Sequence, residues 1–150
     1  MTKLPSTQAT IRLFLSSLVF RFNHVLAGAD EAFGEFSAGE DVRTPREIVR
    51  HMSGLLGFVR AQLGGAAGER LEPLTWRGEL ERFSALARTV DAQLALSAEP
   101  QGELNLAQLW QGPLTDALTH VGQLATLRRL SGSPVARVRY WQVEMPPLNE

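Results

Sequence analysis

The sequence predicts an all-α fold: a four-helix bundle with a short extra helix before the last helix and an extended C-terminal tail. Three observations lead there. Apolar residues recur every three or four positions over four long stretches. Helix start signals precede these stretches, and glycines follow several of them. No two segments alternate in the way a strand pair requires, so helices must cover one another.

Residues 7–27, after Pro5-Ser6, read as the first helix. Ile11, Leu15, Leu18, Phe22 and Val25 make one stripe, while Leu13, Phe14, Val19 and Phe20 spread apolar surface around it. A helix this apolar is central or shared with a second copy, so a homodimer burying part of it is expected. Gly28 ends it, and residues 28–43 form a Gly- and acid-rich connection without periodicity.

Thr44-Pro45-Arg46-Glu47 is a capping box with proline at the first helical position. The helix it opens runs to about Leu63, with Gly64-Gly65 as the stop. Ile48, Met52, Leu55, Val59 and Leu63 form its buried stripe, and His51 borders that stripe. Residues 64–73 read as a loop. Thr75 caps a third helix from Trp76 to Leu96, with Leu80, Phe83, Ala87, Val90 and Leu94 at helical spacing. Its charges at Arg77, Glu81, Arg88 and Asp91 are expected to face out.

Residues 97–103 are a turn region, and Leu104 to Trp110 form a short helical lead-in before a break at Gly112-Pro113. The last helix then has Pro113 in its first turn, Arg128 and Arg129 in its last, and Gly132 as a stop. Asp116, His120 and Gln123 share one face with Pro113 and Leu127, and no better apolar stripe lies opposite. The helix is therefore expected to turn titratable groups inward, which is costly unless they are paired or bound to a metal. Beyond Gly132 the chain alternates and reaches Pro146-Pro147, which reads as a tail lying on the bundle.

A chain of 150 residues holds one domain, 1–150, with a sizeable core. The absence of cysteine removes disulfides, thiolate ligands and any cysteine nucleophile. A net charge of -1 argues against a nucleic-acid partner, although the end of the chain tilts basic at Arg128, Arg129, Arg137 and Arg139. The longest apolar run, broken by Ser16, Ser17 and Arg21, is too short for a membrane span, and no cleavable signal pattern is visible. A cytoplasmic domain is the expectation.

The chemistry-bearing residues are three histidines, one on each of three helices, and one carboxylate. His51, Asp116 and His120 meeting inside a bundle would make a facial set for a divalent ion, with positions left for water or substrate. Taken alone, a carboxylate and an imidazole four apart form a surface ion pair worth a few tenths of a kcal/mol, and His51 reads as a hydrogen-bonded core residue. His24 and Asn23, late in the first helix, would contribute a fourth ligand or a substrate contact if that end approached the site. Otherwise His24 is a partly exposed helix-end histidine. Gln123 is either a second layer that orients a ligand or a rim residue. Trp76, Trp110 and Trp141 read as packing residues or as the lining of a pocket.

Residues 116–135, Asp-Ala-Leu-Thr-His-Val-Gly-Gln-Leu-Ala-Thr-Leu-Arg-Arg-Leu-Ser-Gly-Ser-Pro-Val, resemble the last-helix signature of the DinB/YfiT-like metalloenzymes. Glu47-Ile48-Val49-Arg50-His51-Met52 resembles the second-helix histidine motif of the same family. The resemblance covers the length and helix order of the chain and is specific at those two motifs. It implies a divalent metal (zinc, nickel, iron or manganese) held by His51 and His120, with Asp116 standing where many relatives have histidine. It also implies a homodimer and a metal-dependent enzyme acting on small molecules, a thiol-dependent S-transferase being the leading expectation. A low-molecular-weight thiol would then be a cosubstrate. A metal-assisted hydrolase and a non-catalytic metal-binding or dimerisation bundle are the alternatives. A serine nucleophile is not expected, since no G-x-S-x-G elbow occurs.

Overall fold

Capping decides where the helices begin. The computed structural model describes residues 4–64, 67–68, 70–96 and 98–149; Gly65 of the expected stop and Ser97 lie outside them. Ser6 accepts from the Ala9 N–H and opens α1 (Thr7–Leu26). Thr44 and Glu47 exchange side-chain bonds with each other's backbone N–H and open α3 (Pro45–Gln62). The bond from the Thr44 N–H holds the Glu47 carboxyl below its ordinary range. Thr75 accepts from the Gly78 N–H and opens α4 (Trp76–Ala95). These three starts fall where the cap chemistry places them.

The described residues are all-helical, without a strand. α1 packs on α4 and on α6 (Thr115–Leu130), and α3 packs on the same two helices. Between them lies one core in which Phe22 and Phe83 stack with ring centroids 4.0 Å apart. No helix among the described residues is long and apolar enough to cross a membrane.

The 28–43 connection is more ordered than its lack of periodicity suggests. Asp30 caps a single-turn helix, α2 (Glu31–Gly34). Phe33 from this turn is buried edge-on against Trp76, and the Trp76 indole N–H donates to the Ala29 carbonyl at 3.3 Å. Four residues are too few to display a helical period, so tertiary packing supplies the stabilisation.

The break expected at Gly112-Pro113 is overturned. Asn105 and Gln108 form a capping box that starts α5 (Leu106–Leu109), and the chain passes through a π-helical turn, Trp110–Leu114, directly into α6. Proline can neither donate to an i−4 carbonyl nor fit beneath it in a regular helix. The wide turn absorbs that conflict, and the Thr115 hydroxyl satisfies the Trp110 carbonyl at 2.8 Å.

Two further expectations are corrected, and one burial is not foreseen in the sequence. Asp91 does not face out: it is 1% exposed and takes a two-pronged bond from Arg12, at 2.8 and 3.1 Å, and another from Asn149. On α3 the innermost position belongs to Leu56, and Leu55 is half-buried at the surface. Arg128, in the last turn as expected, is buried and donates to the Val25, Ala27 and Ser133 carbonyls.

The tail does lie on the helices. Tyr140, in a short 3-10 turn (Tyr140–Gln142), packs on Phe20 and carries the Arg21 guanidinium over its ring at 3.7 Å. Phe14 meets Trp110 edge-on, and Val19 is buried. Much of the apolar surplus on α1, from which a homodimer is expected, is thus covered within one chain. Leu13 remains exposed.

Candidate metal centre

Two helices carry the site. α3 presents His51 near its middle, and α6 presents Asp116 in its first turn and His120 one turn later. The inward-facing polar row expected for α6 is present only at His120, which is buried. Its buried stripe is Ala117, Val121, Leu124 and Leu127, and His120 stands at the stripe's edge. Asp116 and Gln123 are exposed. The register entering α6 from the π turn turns the small and apolar residues inward and leaves the polar ones along the α3–α6 seam.

There the three groups converge. Asp116 Oδ2 lies 3.6 Å from His51 Nε2, and Asp116 Oδ1 lies 3.6 Å from His120 Nε2. The two imidazoles meet edge-on with centroids 4.7 Å apart. One ligand atom from each residue lies within 4.8 Å of the other two. At 3.6 Å the carboxylate faces each imidazole at ion-pair distance, longer than an ordinary hydrogen bond. These separations are shorter than the roughly 4.2 Å between ligands on opposite sides of an ion bonded at about 2.1 Å. The donor set, two imidazoles and a carboxylate, suits zinc and its first-row neighbours.

The electrostatics keep one ligand ready. Burial pushes the His51 pKa below its ordinary value, and the positive potentials of His120 and Arg43 push it the same way, against the opposing pull of Asp116. The shift favours the neutral imidazole, the form that binds a metal. Gln123, expected either to orient a ligand or to sit on the rim, places its Oε1 2.7 Å from His120 Nδ1. The ring proton on Nδ1 is thereby engaged, and Nε2 faces Asp116.

The centre opens on both sides. The His120 side is an open groove of ≈ 790 Å³ whose walls include Val42, Arg43, Ile48, Thr119 and Leu130. The His51 side is a smaller recess bounded by Arg43, Glu47, Arg50 and Leu71.

The other candidates lie elsewhere. His24 Nε2 is bonded to the Ala136 carbonyl of the tail at 2.8 Å, and its ring meets Tyr140, so it is a partly exposed helix-end residue. Asn23 lies beside Arg88 and Pro146-Leu148 on the tail side of α1. Trp76 is core, Trp110 packs on Phe14, and Trp141 is exposed. Arg43 is the neighbour that sequence reading missed, because a single arginine before a capping box carries no signal of its own.

Among known proteins, no family model, no curated protein and no solved structure matches this chain. The DinB/YfiT-like resemblance therefore stands on the motifs at residues 47–52 and 116–135.

Proposed function

We propose that His51, Asp116 and His120 hold a divalent ion, and that the chain is a metal-dependent enzyme built as a DinB-like four-helix bundle. Its reaction on this reading is the transfer of a low-molecular-weight thiol to a small electrophile in the cytoplasm. The observation that carries the proposal is the convergence of three ligand atoms within 4.8 Å, with His120 on the wall of an open groove and His51 on that of a recess. When bound, the ion would lower the pKa of a coordinated thiol or water, so that either is a nucleophile near neutral pH.

The chain's own residues support such a site in three ways. Gln123 fixes the His120 ring and directs Nε2 at the centre. Burial lowers the His51 pKa and so favours its neutral form. The side chains of His51 and Asp116 are 36% and 48% exposed, so the ligand cluster faces solvent and leaves room for further ligands. With no cysteine in the chain, any sulfur nucleophile has to come from a cosubstrate.

Titration calorimetry with zinc, nickel, iron(II) or manganese should show one ion per chain, and His51→Ala, Asp116→Ala or His120→Ala should each abolish binding. Metal-loaded protein should then accelerate conjugation of a thiol to an activated aryl halide. Turnover of esters or amides without a thiol would move the assignment to a hydrolase. Tight binding with neither activity would leave a metal-binding module. No binding at all would remove the metal reading.

A further inference from the structure

We infer that the groove beside His120 takes an amphipathic carboxylate, with its anionic head on Arg43 and its apolar body along Val42, Ile48, Leu127 and Leu130. The inference rests on the proposed function, for which it names the substrate class.

Three observations carry it. Arg43 is the one residue common to the linings of the groove and of the recess on the His51 side, so its guanidinium stands at the mouth of the centre from both directions. It makes no hydrogen bond or ion pair among the described residues. The acid nearest it in sequence on α3, Glu47, is engaged by the Thr44 N–H at 2.8 Å. Arg43 feels the Glu47 carboxylate only through space, and its exposed guanidinium, free of hydrogen bonds among the described residues, presents a planar set of donors that matches a carboxylate.

The second observation is apolar. Val42 and Leu130, 46% and 62% exposed, line this groove together with the buried Ile48 and Leu127. Large apolar side chains exposed together on the wall of a cleft mark a ligand surface. The third is the position of His120 on the same wall, which brings a molecule seated there against the ligand cluster. Asp41 is the groove's only carboxylate among the described lining residues, and it is not ion-paired with Arg43. It disfavours a second negative charge on the ligand, which points to a monocarboxylate.

The test uses butanoate, hexanoate and octanoate, with 1-hexanol as the neutral control, followed by amide shifts in NMR on metal-free and metal-loaded protein. Affinity should rise about fourfold per methylene buried, and hexanoate should bind about tenfold tighter than 1-hexanol. Arg43→Ala should remove that tenfold preference, Leu130→Ser should flatten the length dependence, and Asp41→Asn should tighten hexanoate. All three positions are exposed, and unchanged thermal unfolding would verify the fold. Equal binding of hexanol and hexanoate, or indifference to Arg43→Ala, overturns the inference. So does weaker binding in Asp41→Asn, or hexanoate binding that requires the metal and so reports direct coordination. Ion uptake is measured on the same samples. Alkanoate binding without ion uptake keeps the groove assignment and removes the metal reading; ion uptake without alkanoate binding does the reverse.

Discussion

Gln123 holds His120. Its Oε1 stands 2.7 Å from Nδ1, three residues along the same helix, and this leaves Nε2 directed at Asp116. An outer hydrogen bond of this kind typically contributes 10- to 100-fold to metal affinity. Gln123→Ala should therefore weaken metal binding about tenfold with little change in unfolding temperature, since the residue is exposed. Gln123→Glu keeps an acceptor and should retain affinity. Equal affinity in wild type and Gln123→Ala would show that the His120 ring needs no such support.

His51 should titrate below its ordinary value of 6.5 in an NMR pH series. Because the folded pKa is the lower one, the unfolded chain takes up this proton first as pH falls. The contribution to stability is complete above about pH 6.5. It declines as pH drops towards the folded pKa and does not change further below it. Arg43→Ala should raise the His51 pKa, and Asp116→Asn should lower it, because the first removes a repelling charge and the second an attracting one. An unchanged His51 pKa in both variants would mean that neither charge acts on this ring.

Arg12→Ala should destabilise the fold by about 2–3 kcal/mol, because it leaves the buried Asp91 carboxylate with Asn149 as its remaining side-chain partner. Chemical denaturation measures this directly. A loss within experimental error would show that solvent replaces the guanidinium at the half-exposed side of the pair.

Gly34→Ala should cost about 1–3 kcal/mol. A methyl group there would lie 3.0 Å from Trp76 Cδ2 and 3.1 Å from Trp76 Cβ, and the buried indole has no free direction in which to move. Thermal unfolding would register the loss, and an unchanged midpoint would mean that α2 shifts as a unit.

Arg128→Ala should loosen the tail. Its guanidinium joins the carbonyls ending α1 to Ser133, where the tail begins. Tryptic cleavage after Arg137 and Arg139, both exposed, should accelerate in the variant while α1, α3 and α4 stay intact. Unaltered cleavage kinetics would place the anchoring of the tail in its contacts through Tyr140 and Asn149.

What is legible in this sequence is what is decided locally. Thr44 and Thr75 announce helices because a cap is completed within three residues. The all-helical class follows from periodicity for the same reason, and His51 and His120 could be singled out from the motifs around them. Burial of charge is not local. Asp91 meets Arg12 across 79 residues, and Arg128 reaches Val25 across 103, so nothing near either residue announces its partner. The direction of Asp116 and Gln123 could not be read because it depends on the wide turn at Pro113, whose width the sequence around Gly112-Pro113 does not reveal. Arg43 escapes notice because its significance lies in two cavities that exist only once α3 and α6 are assembled.

The wide turn at Trp110–Leu114 also sets the phase of everything after it. One residue of α-helix corresponds to about 100° of rotation, and a π turn accommodates one residue more than a regular turn. Deleting Gln111 or Gly112 would take the extra residue out of the turn, although Pro113 would still resist regular winding there. The same deletion would rotate Asp116 and His120 together by about 100° relative to Leu109. The segment thus acts as a one-residue phase shifter: the same irregularity that interrupts the helix keeps Leu109 in the core while aiming Asp116 and His120 at His51. A repair that made the helix more ideal would dismantle the centre.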